Sequence, residues 1–351
     1  FIAALMILSI SFYNARTWTA KAEQYLYRDR IIFSKTTRYQ HIVLTRSRAH
    51  EIRCYINGSL QFNSADEHIY HENLVHPAFT LATNPRRVLI LGGGDGMAAR
   101  EILKYESVKE IVLCDLDPEM TDLARTDPIL TRLNHNSLSS AKIKTLQNHD
   151  LKELPGKDQI LVANQKKRFG SRPELVAEVT VINLDAATLL ENLAGKFDVI
   201  IIDFPDPNNE ELAKLYSRTF YRRLADRLAI DGIFVQQATS PFHAREAFLC
   251  VGRTIRASGL SAIPYHDNVP SFGEWGWWLG GHHERWSATG LKKGLKKIHE
   301  IKVETRYLSP EMIHASLDFG KDQLISGEQE INTLVNHKIF TYYLEGWQTG
   351  Y

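Results

Sequence analysis

Two aspartates lie three residues apart directly after an apolar run. The run is Val199–Ile202, and Asp203 and Asp206 follow it, separated by Phe204 and Pro205. An unbroken apolar run of this length is typical of a strand buried in a parallel sheet, and ligands of such sheets bind beyond the carboxyl ends of the strands. Two carboxylates there suit a substrate with ammonium groups, because one can accept the proton of an attacking amine while the other binds a neighbouring cation. The alternative is a capped loop in which Asp206 is the N-cap of a helix.

A glycine-rich turn follows a second apolar run, Val88–Leu91. The turn contains, in order, Gly92, Gly93, Gly94, Asp95 and Gly96. Glycines after the first strand of a nucleotide-binding fold let the backbone approach the ligand closely. Asp115 ends the next apolar run, about 20 residues further on, where a carboxylate can hydrogen-bond ribose hydroxyls. Together these features predict a nucleoside site; a tight turn beside a surface aspartate is the alternative.

Asp95, within the glycine turn, indicates which kind of nucleoside this site would bind. Methyltransferases that use S-adenosylmethionine present backbone N–H groups of this turn to the methionine carboxylate, and a second carboxylate there would repel it. If the ligand has lost that carboxyl group and keeps only its ammonium, Asp95 becomes a favourable partner. The turn therefore favours a decarboxylated sulfonium nucleoside. Asp185, which follows the apolar run Val181–Leu184, is placed to accept a hydrogen bond from adenine or to cap a helix.

Composition sets the frame for these sites. The chain has 351 residues, of which 44% are hydrophobic and 24% charged, and its formal net charge is +1. With so small a net charge, the protein as a whole does not attract nucleic acid. A cationic substrate must therefore be recognised by a local group of carboxylates. The three cysteines are too sparse for a disulfide framework or a zinc spacing, which fits a reducing compartment. No metal or resident cofactor is expected.

The elements that position these residues alternate in type. Residues 23–62 contain short β-rich runs and the hairpin dipeptide Asn57-Gly58, which predicts a small antiparallel N-terminal β domain. Residues 63–280 begin with a helix near Ser64–Ala82 and then alternate strands with helices, which predicts a Rossmann-like α/β domain of the class I methyltransferase type with a doubly wound parallel sheet. A basic segment at about 141–177 reads as an insertion. Residues 281–351 form a C-terminal extension with no predicted chemical role.

The N-terminal residues form a separate segment. Phe1–Phe12 is largely apolar, and Arg16, Lys21, Arg28 and Arg30 follow it. The apolar run is shorter than the 20 or so residues needed to cross a bilayer. We interpret residues 1–22 as the end of a transmembrane helix plus a basic linker, and the Lys/Arg excess would place the rest of the chain in the cytoplasm. A short buried helix is the alternative.

Several of these motifs together resemble a known family, the polyamine aminopropyltransferases, or spermidine and spermine synthases. The resemblance covers about residues 23–280 without the insertion. The matching segments are Gln40, Gln61, Asp66–Glu72, Arg86–Ala99, Asp115–Pro118, Asp185–Ala186 and Asp203–Pro207. The stretch Val269–Gly276 and the N-terminal apolar run are similar to the membrane-attached bacterial branch of this family.

The resemblance implies an activity: transfer of the aminopropyl group of decarboxylated S-adenosylmethionine, a co-substrate, to a polyamine such as putrescine. It also implies a homodimer. Asp203 would be the base that deprotonates the attacking amine, Tyr70 would hydrogen-bond that nitrogen, and Asp206 would lie near the charged end of the substrate. Glu274 is the candidate for the distal ammonium. The residues implied to line the aminopropyl and nucleoside site are Gln40, Gln61, Tyr70, His71, Asp95, Asp115 and Asp185.

The sequence departs from the soluble members of the family at two places. Asn208–Leu212 replaces a Gly-Pro-Ala-like loop after the aspartate pair, and a tyrosine expected near the last strand is missing around Pro270–Phe272. Both changes touch the acceptor pocket and leave the identity of the amine open. Two other functions stay open at this point: a small-molecule methyltransferase on the same sheet and a non-catalytic membrane-linked binding protein.

Overall fold

The computed structural model of the protein describes Tyr13, residues 18–145 and residues 177–348. The chain divides into two units, Phe1–Ala65 and Asp66–Tyr351. The apolar run Phe1–Phe12 and most of the predicted insertion, residues 146–176, lie outside the described residues. Among the residues that are described, no helix combines the length and the apolar character needed to cross a bilayer.

The first unit contains a four-stranded antiparallel sheet in which the strands pair in chain order. Its strands are β1 (Arg30–Thr36), β2 (His41–Arg46), β3 (Ile52–Ile56) and β4 (Ser59–Asn63). Asn57 and Gly58 form the predicted hairpin turn between β3 and β4, with φ angles of 50° and 83°. Positive φ at both positions is what a two-residue turn of this hand needs, which explains the Asn-Gly pair.

The second unit is built on an eight-stranded sheet with the order β11-β12-β10-β9-β5-β6-β8-β7. Its strands are β5 (Arg87–Gly92), β6 (Glu110–Asp115), β7 (Lys142–Thr145), β8 (Glu178–Asn183), β9 (Phe197–Asp203), β10 (Leu228–Gln237), β11 (Leu260–Val269) and β12 (Gly273–His282). Six of these strands, β5 to β10, are mutually parallel. The predicted α/β Rossmann-like fold is confirmed, but the sheet is mixed, because β12 runs antiparallel to both neighbours. A three-residue turn joins β11 to β12, and a turn that short can connect only antiparallel strands.

Helices cover both faces of this sheet. They are α1 (Glu67–Leu81), α2 (Met97–Ile102), α3 (Pro118–Thr126), α4 (Pro128–Leu133), α5 (Ala186–Asn192), α6 (Glu210–Ala213), α7 (Arg218–Arg227), α8 (Arg245–Arg256), α9 (Ala288–Leu295), α10 (Pro310–Ser316) and α11 (Lys338–Gln348). The side chains of Val88–Leu91 and Val199–Ile202 are fully buried between two apolar clusters, one on each face. Burial on both faces accounts for the unbroken apolar runs in the sequence.

The strand order of the parallel part of the sheet reverses next to its first strand, β5. β5 lies between β9 on one side and β6 on the other, so the strand order reverses at the pair β5 and β9. The crevice at such a reversal, beyond the carboxyl ends of the strands, is where open α/β sheets bind ligands. The glycine turn after β5 and the aspartate pair after β9 both lie at this crevice.

Candidate active site

The strand ends bring the glycine turn and Asp203 together. Gly92 ends β5 and pairs in register with Asp203, which ends β9. A Cβ atom at position 92 would collide with the backbone carbonyl of Asp203, and Gly92 also has a φ of +83°. Both constraints exclude an ordinary side chain, so this glycine sets the close approach of the two strand ends.

Tyr70 binds the carboxylate of Asp203. Its hydroxyl donates a hydrogen bond of 2.6 Å to Oδ1 of Asp203, across 133 residues of sequence. The Tyr70 ring is held by the rings of Trp277, at 5.7 Å, and Phe272, at 6.0 Å. Burial raises the pKa of Asp203 to about 6, against the attraction of the nearby His71 and with the added repulsion of Asp95. Asp203 is therefore a stronger base than a solvated carboxylate and is still mostly ionised at neutral pH.

Asp95 and Asp115 add two further carboxylates. Asp115 accepts hydrogen bonds from the backbone N–H groups of Gly94, at 3.0 Å, and Asp117, at 2.9 Å. Burial raises the pKa of Asp115 to about 6, and the negative charges of Asp117 and Asp95 act in the same direction. Asp95, whose Oδ1 accepts the N–H of Met97, is thus close enough to repel both Asp115 and Asp203. Asp95, which repels both of the other carboxylates, makes this strand-end crevice suit a cationic ligand.

His71 is the positive group of this site. Its Nδ1 donates to Oε2 of Glu67, at 2.8 Å, and Arg100 bonds both oxygens of that same carboxylate, at 2.9 Å each. All three side chains are buried. Burial disfavours the charged forms of Glu67 and His71. The contacts with His71 and Arg100 nevertheless lower the pKa of Glu67. The Glu67 carboxylate in turn raises the pKa of His71 to about 9. The Glu67 carboxylate, together with the charges of Asp95 and Asp203, therefore favours the imidazolium form of His71.

Asp206 does not cap a helix; its carboxylate accepts hydrogen bonds from side chains at the end of β10. The N-cap of α6 is Asn209, so the interpretation of Asp206 as a cap is wrong. Its Oδ1 accepts from Gln237, at 3.3 Å, and its Oδ2 accepts from Thr239, at 3.2 Å. Burial raises the pKa of Asp206 to about 6, and the hydrogen-bond donors around the carboxylate oppose the rise.

Four other residues predicted from the sequence have the following contacts or places in the fold. Asp185 is the N-cap of α5, where its Oδ1 accepts from the N–H and the hydroxyl of Thr188, at 2.8 Å each. Gln40 and Gln61 belong to the first unit, where Gln61 donates to the carbonyl of Ser59. Glu274 accepts from Gln323, at 2.8 Å, and pairs with His266, at 3.0 Å.

Several site residues were not predicted from the sequence. One of them, Glu67, had a visible signal: it precedes His71 by one helical turn, a spacing that places the two side chains on one face of a helix. Arg100, Gln237 and Thr239 gave no such signal, because Arg100 lies on α2 and the other two lie at the end of β10, far along the chain from the carboxylates that they bond. They act on the carboxylates rather than forming a motif of their own.

Comparison with known proteins gives a consistent result. The family model described as the spermine/spermidine synthase domain matches residues 67–154 and 158–288. The polyamine aminopropyltransferases of Oceanobacillus iheyensis and Leptospira interrogans are each 38% identical to the chain, over 93% and 99% of it. The chain spans only 55% and 59% of the length of those two proteins.

Two further relatives are covered more fully. Polyamine aminopropyltransferase 2 of Bacillus cereus is 39% identical over 87% of the chain and 70% of that protein. The crystal structure of spermidine synthase from Thermotoga maritima superposes with a TM-score of 0.63 at 25% identity, over 84% of this chain and 87% of that one. The family match and these identities establish that the chain belongs to the spermine/spermidine synthase family.

Proposed function

We propose that the protein is an aminopropyltransferase that moves the aminopropyl group of decarboxylated S-adenosylmethionine to a polyamine such as putrescine, giving spermidine and methylthioadenosine. The observation that carries this proposal is the meeting of Asp95, Asp115 and Asp203 at the strand-end crevice where the sheet order reverses. The names of the relatives, polyamine aminopropyltransferases and a spermidine synthase, support the same reaction.

The nucleoside would be bound by groups on β5, β6 and α5. Asp115, fixed by two backbone N–H bonds, has acceptor capacity left for the ribose hydroxyls. Gly92–Gly94 allow the ligand to approach the backbone. Asp185 is assigned to the adenine amino group in addition to its capping bonds, and Asp95 to the ammonium of the aminopropyl arm. Removal of the carboxyl group from the ligand is what makes Asp95 favourable.

The chemical step follows from these charges. The lone pair of the acceptor nitrogen forms a bond to the methylene carbon next to the sulfonium, the C–S bond breaks, and its electrons neutralise the sulfur as a thioether. The proton lost by the nitrogen passes to Asp203. A free alkyl amine has a pKa of about 10 and is mostly protonated at neutral pH. A base at this position is needed to remove the proton, because only the neutral amine has a lone pair for attack. Tyr70 would bond the attacking nitrogen and keep Asp203 in position.

Turnover with a panel of amines tests this assignment. Purified protein would be incubated with decarboxylated S-adenosylmethionine and putrescine, cadaverine or spermidine, and methylthioadenosine would be measured by chromatography. We expect methylthioadenosine to appear only when an amine is present. Parallel reactions with S-adenosylmethionine are the matched control: consumption of that compound alone would assign a methyltransferase. No turnover of either nucleoside with any amine would favour a binding protein and contradict the proposal.

We also propose attachment to the bacterial inner membrane, with the catalytic unit in the cytoplasm, and a homodimer. The apolar run Phe1–Phe12 followed by basic residues supports the attachment. The homodimer is supported by the family resemblance. Fractionation of cells expressing the full-length gene, with carbonate washing of the membranes, checks the first point: recovery of the protein in the soluble fraction would contradict it. Light scattering after size-exclusion chromatography checks the second, and a monomer mass would contradict that.

A further inference from the structure

The residue two positions after β10 has an unusual backbone conformation. Thr239 is fully buried and has a φ of +63°. A β-branched residue rarely adopts positive φ, because its Cβ substituents crowd the backbone there, whereas glycine adopts it freely. Strain of this kind persists only where the surrounding structure fixes the residue, and it is concentrated at functional sites. Thr239 is therefore a candidate for a functional role.

Hydrogen bonds on both sides hold the backbone of Thr239 in place. Its carbonyl accepts the N–H of Gly276, on β12, at 2.9 Å, and its own N–H donates to Oε1 of Gln237, at 3.0 Å. The carbonyl of Gly276 also accepts the N–H of Ala238, at 2.9 Å. A Cβ atom at position 276 would be 2.5 Å from the ring of Phe248, so this approach of β12 depends on the glycine. The strained conformation is thus fixed by two neighbouring segments.

The hydroxyl of Thr239 reaches the second aspartate of the loop after β9. Its Oγ1 donates to Oδ2 of Asp206, at 3.2 Å. Gln237 makes a second link between the same two residues, because its Oε1 accepts the N–H of Thr239 and its Nε2 donates to Oδ1 of Asp206, at 3.3 Å. The two links close a ring of hydrogen bonds in which each carboxylate oxygen accepts one donor. This ring fixes the plane of the Asp206 carboxylate.

The Asp206 carboxylate keeps its negative charge available for a ligand. Thr239 and Gln237 are neutral donors, and within the described part of the chain no Lys, Arg or His forms an ion pair with Asp206. Each carboxylate oxygen has a second acceptor site, which the bonds to Thr239 and Gln237 leave open. Asp206 is only half-buried, so a ligand can reach it. A fixed, accessible carboxylate without a cationic partner suits an ammonium group.

We propose that Thr239 is a positioning residue for the amine acceptor: its hydroxyl orients the Asp206 carboxylate toward the ammonium group distal to the attacking nitrogen. This inference rests on the proposed aminopropyl transfer and adds to the acceptor pocket a residue that determines how tightly a diamine binds. It also explains the presence of threonine at a strained position. Glycine would adopt the positive φ without strain, but it has no side-chain donor for Asp206.

Three substitutions of Thr239 test the inference. Thr239→Val removes the hydroxyl and keeps the branched shape, whereas Thr239→Gly removes the hydroxyl and relieves the strain, so the glycine variant should fold even if the valine variant does not. We expect both to raise the KM for putrescine about tenfold, the effect of losing one hydrogen bond to a charged group. The KM for decarboxylated S-adenosylmethionine should stay the same. Thr239→Ser keeps the hydroxyl and should keep the wild-type KM for putrescine.

Thr180→Val is the matched control for loss of a buried threonine hydroxyl. Thr180 is 1% exposed and lies on β8, which β9, β5 and β6 separate from β10. We expect this variant to keep the wild-type KM for putrescine. The inference would be overturned by an unchanged or lower putrescine KM in a folded Thr239→Val or Thr239→Gly variant, by an equal rise in Thr239→Ser or Thr180→Val, or by an equal rise in the KM of both substrates. Wild-type turnover would uphold the proposed function in each of these cases. Absence of wild-type turnover with every amine would overturn the proposed function, and the inference with it.

Discussion

The pH dependence of stability tests the buried charge group around His71. The Glu67 carboxylate, with the charges of Asp95 and Asp203, favours the imidazolium, and the pKa of His71 rises from 6.5 to about 9, although burial alone would lower it. A group whose pKa is higher in the folded state stabilises that state fully below its unfolded pKa, and this contribution is lost as the pH rises through the folded pKa. The loss should therefore occur between pH 6.5 and about 9.

The magnitude follows from the shift. One pKa unit corresponds to about 1.36 kcal/mol, so a shift of this size makes the His71 contribution about 3 kcal/mol at most. Urea unfolding at a series of pH values from 6 to 9.5, followed by tryptophan fluorescence, measures it. Five of the six tryptophans belong to the second unit, so the signal reports mainly on the unit that contains His71.

His71→Gln isolates the contribution, because the amide can still donate to Glu67 but does not titrate. Between pH 6.5 and 9.5, the free energy of unfolding of the wild-type protein should fall by about 3 kcal/mol more than that of the variant. His283→Gln, at an exposed histidine, is the control and should follow the wild-type curve. Parallel curves for the wild type and His71→Gln would refute the assignment of a buried imidazolium.

Two further substitutions address the chemistry directly. Asp203→Asn should lower kcat by a factor of about 10²–10⁴, the range for removal of a general base, while nucleoside binding measured by calorimetry is retained; near wild-type turnover would remove Asp203 from the role of base. Asp95→Asn should weaken binding of decarboxylated S-adenosylmethionine and narrow its advantage over S-adenosylmethionine in competition assays, because the repelling charge is gone; an unchanged preference would show that Asp95 does not select the ligand.

The part of the site that could be predicted from the sequence is the part built from strand ends. Val88–Leu91 and Val199–Ile202 are apolar because they are buried on both faces, and neighbouring parallel strands end at the same edge. The glycine turn and Asp203 therefore had to lie close together, and Gly92 and Asp203 are in register. The i to i+4 spacing of Glu67 and His71 can also be seen in the sequence, but the spacing alone does not predict a buried ion pair.

Two other features could not be predicted, for different physical reasons. β12 contains four glycines at positions 273, 276, 280 and 281, and β11 contains proline and polar residues; both compositions lower strand propensity, so the antiparallel edge was missed. The second is the docking of α11, where the N–H of Ile339 bonds the side chain of Asn332 and Trp347 stacks on His243. No local pattern encodes such a contact between distant segments, because it arises from tertiary packing alone.

The central claim is that the carboxylates around the crevice select a sulfonium nucleoside without a carboxyl group. Two like charges about 4 Å apart near a protein surface repel by about 4 kcal/mol at an effective dielectric constant of about 20. Calorimetric titration of the protein with decarboxylated S-adenosylmethionine and with S-adenosylmethionine, in the same buffer, measures this preference. We expect the decarboxylated compound to bind at least tenfold more tightly, a difference of about 1.4 kcal/mol or more. Equal or tighter binding of S-adenosylmethionine would contradict the account.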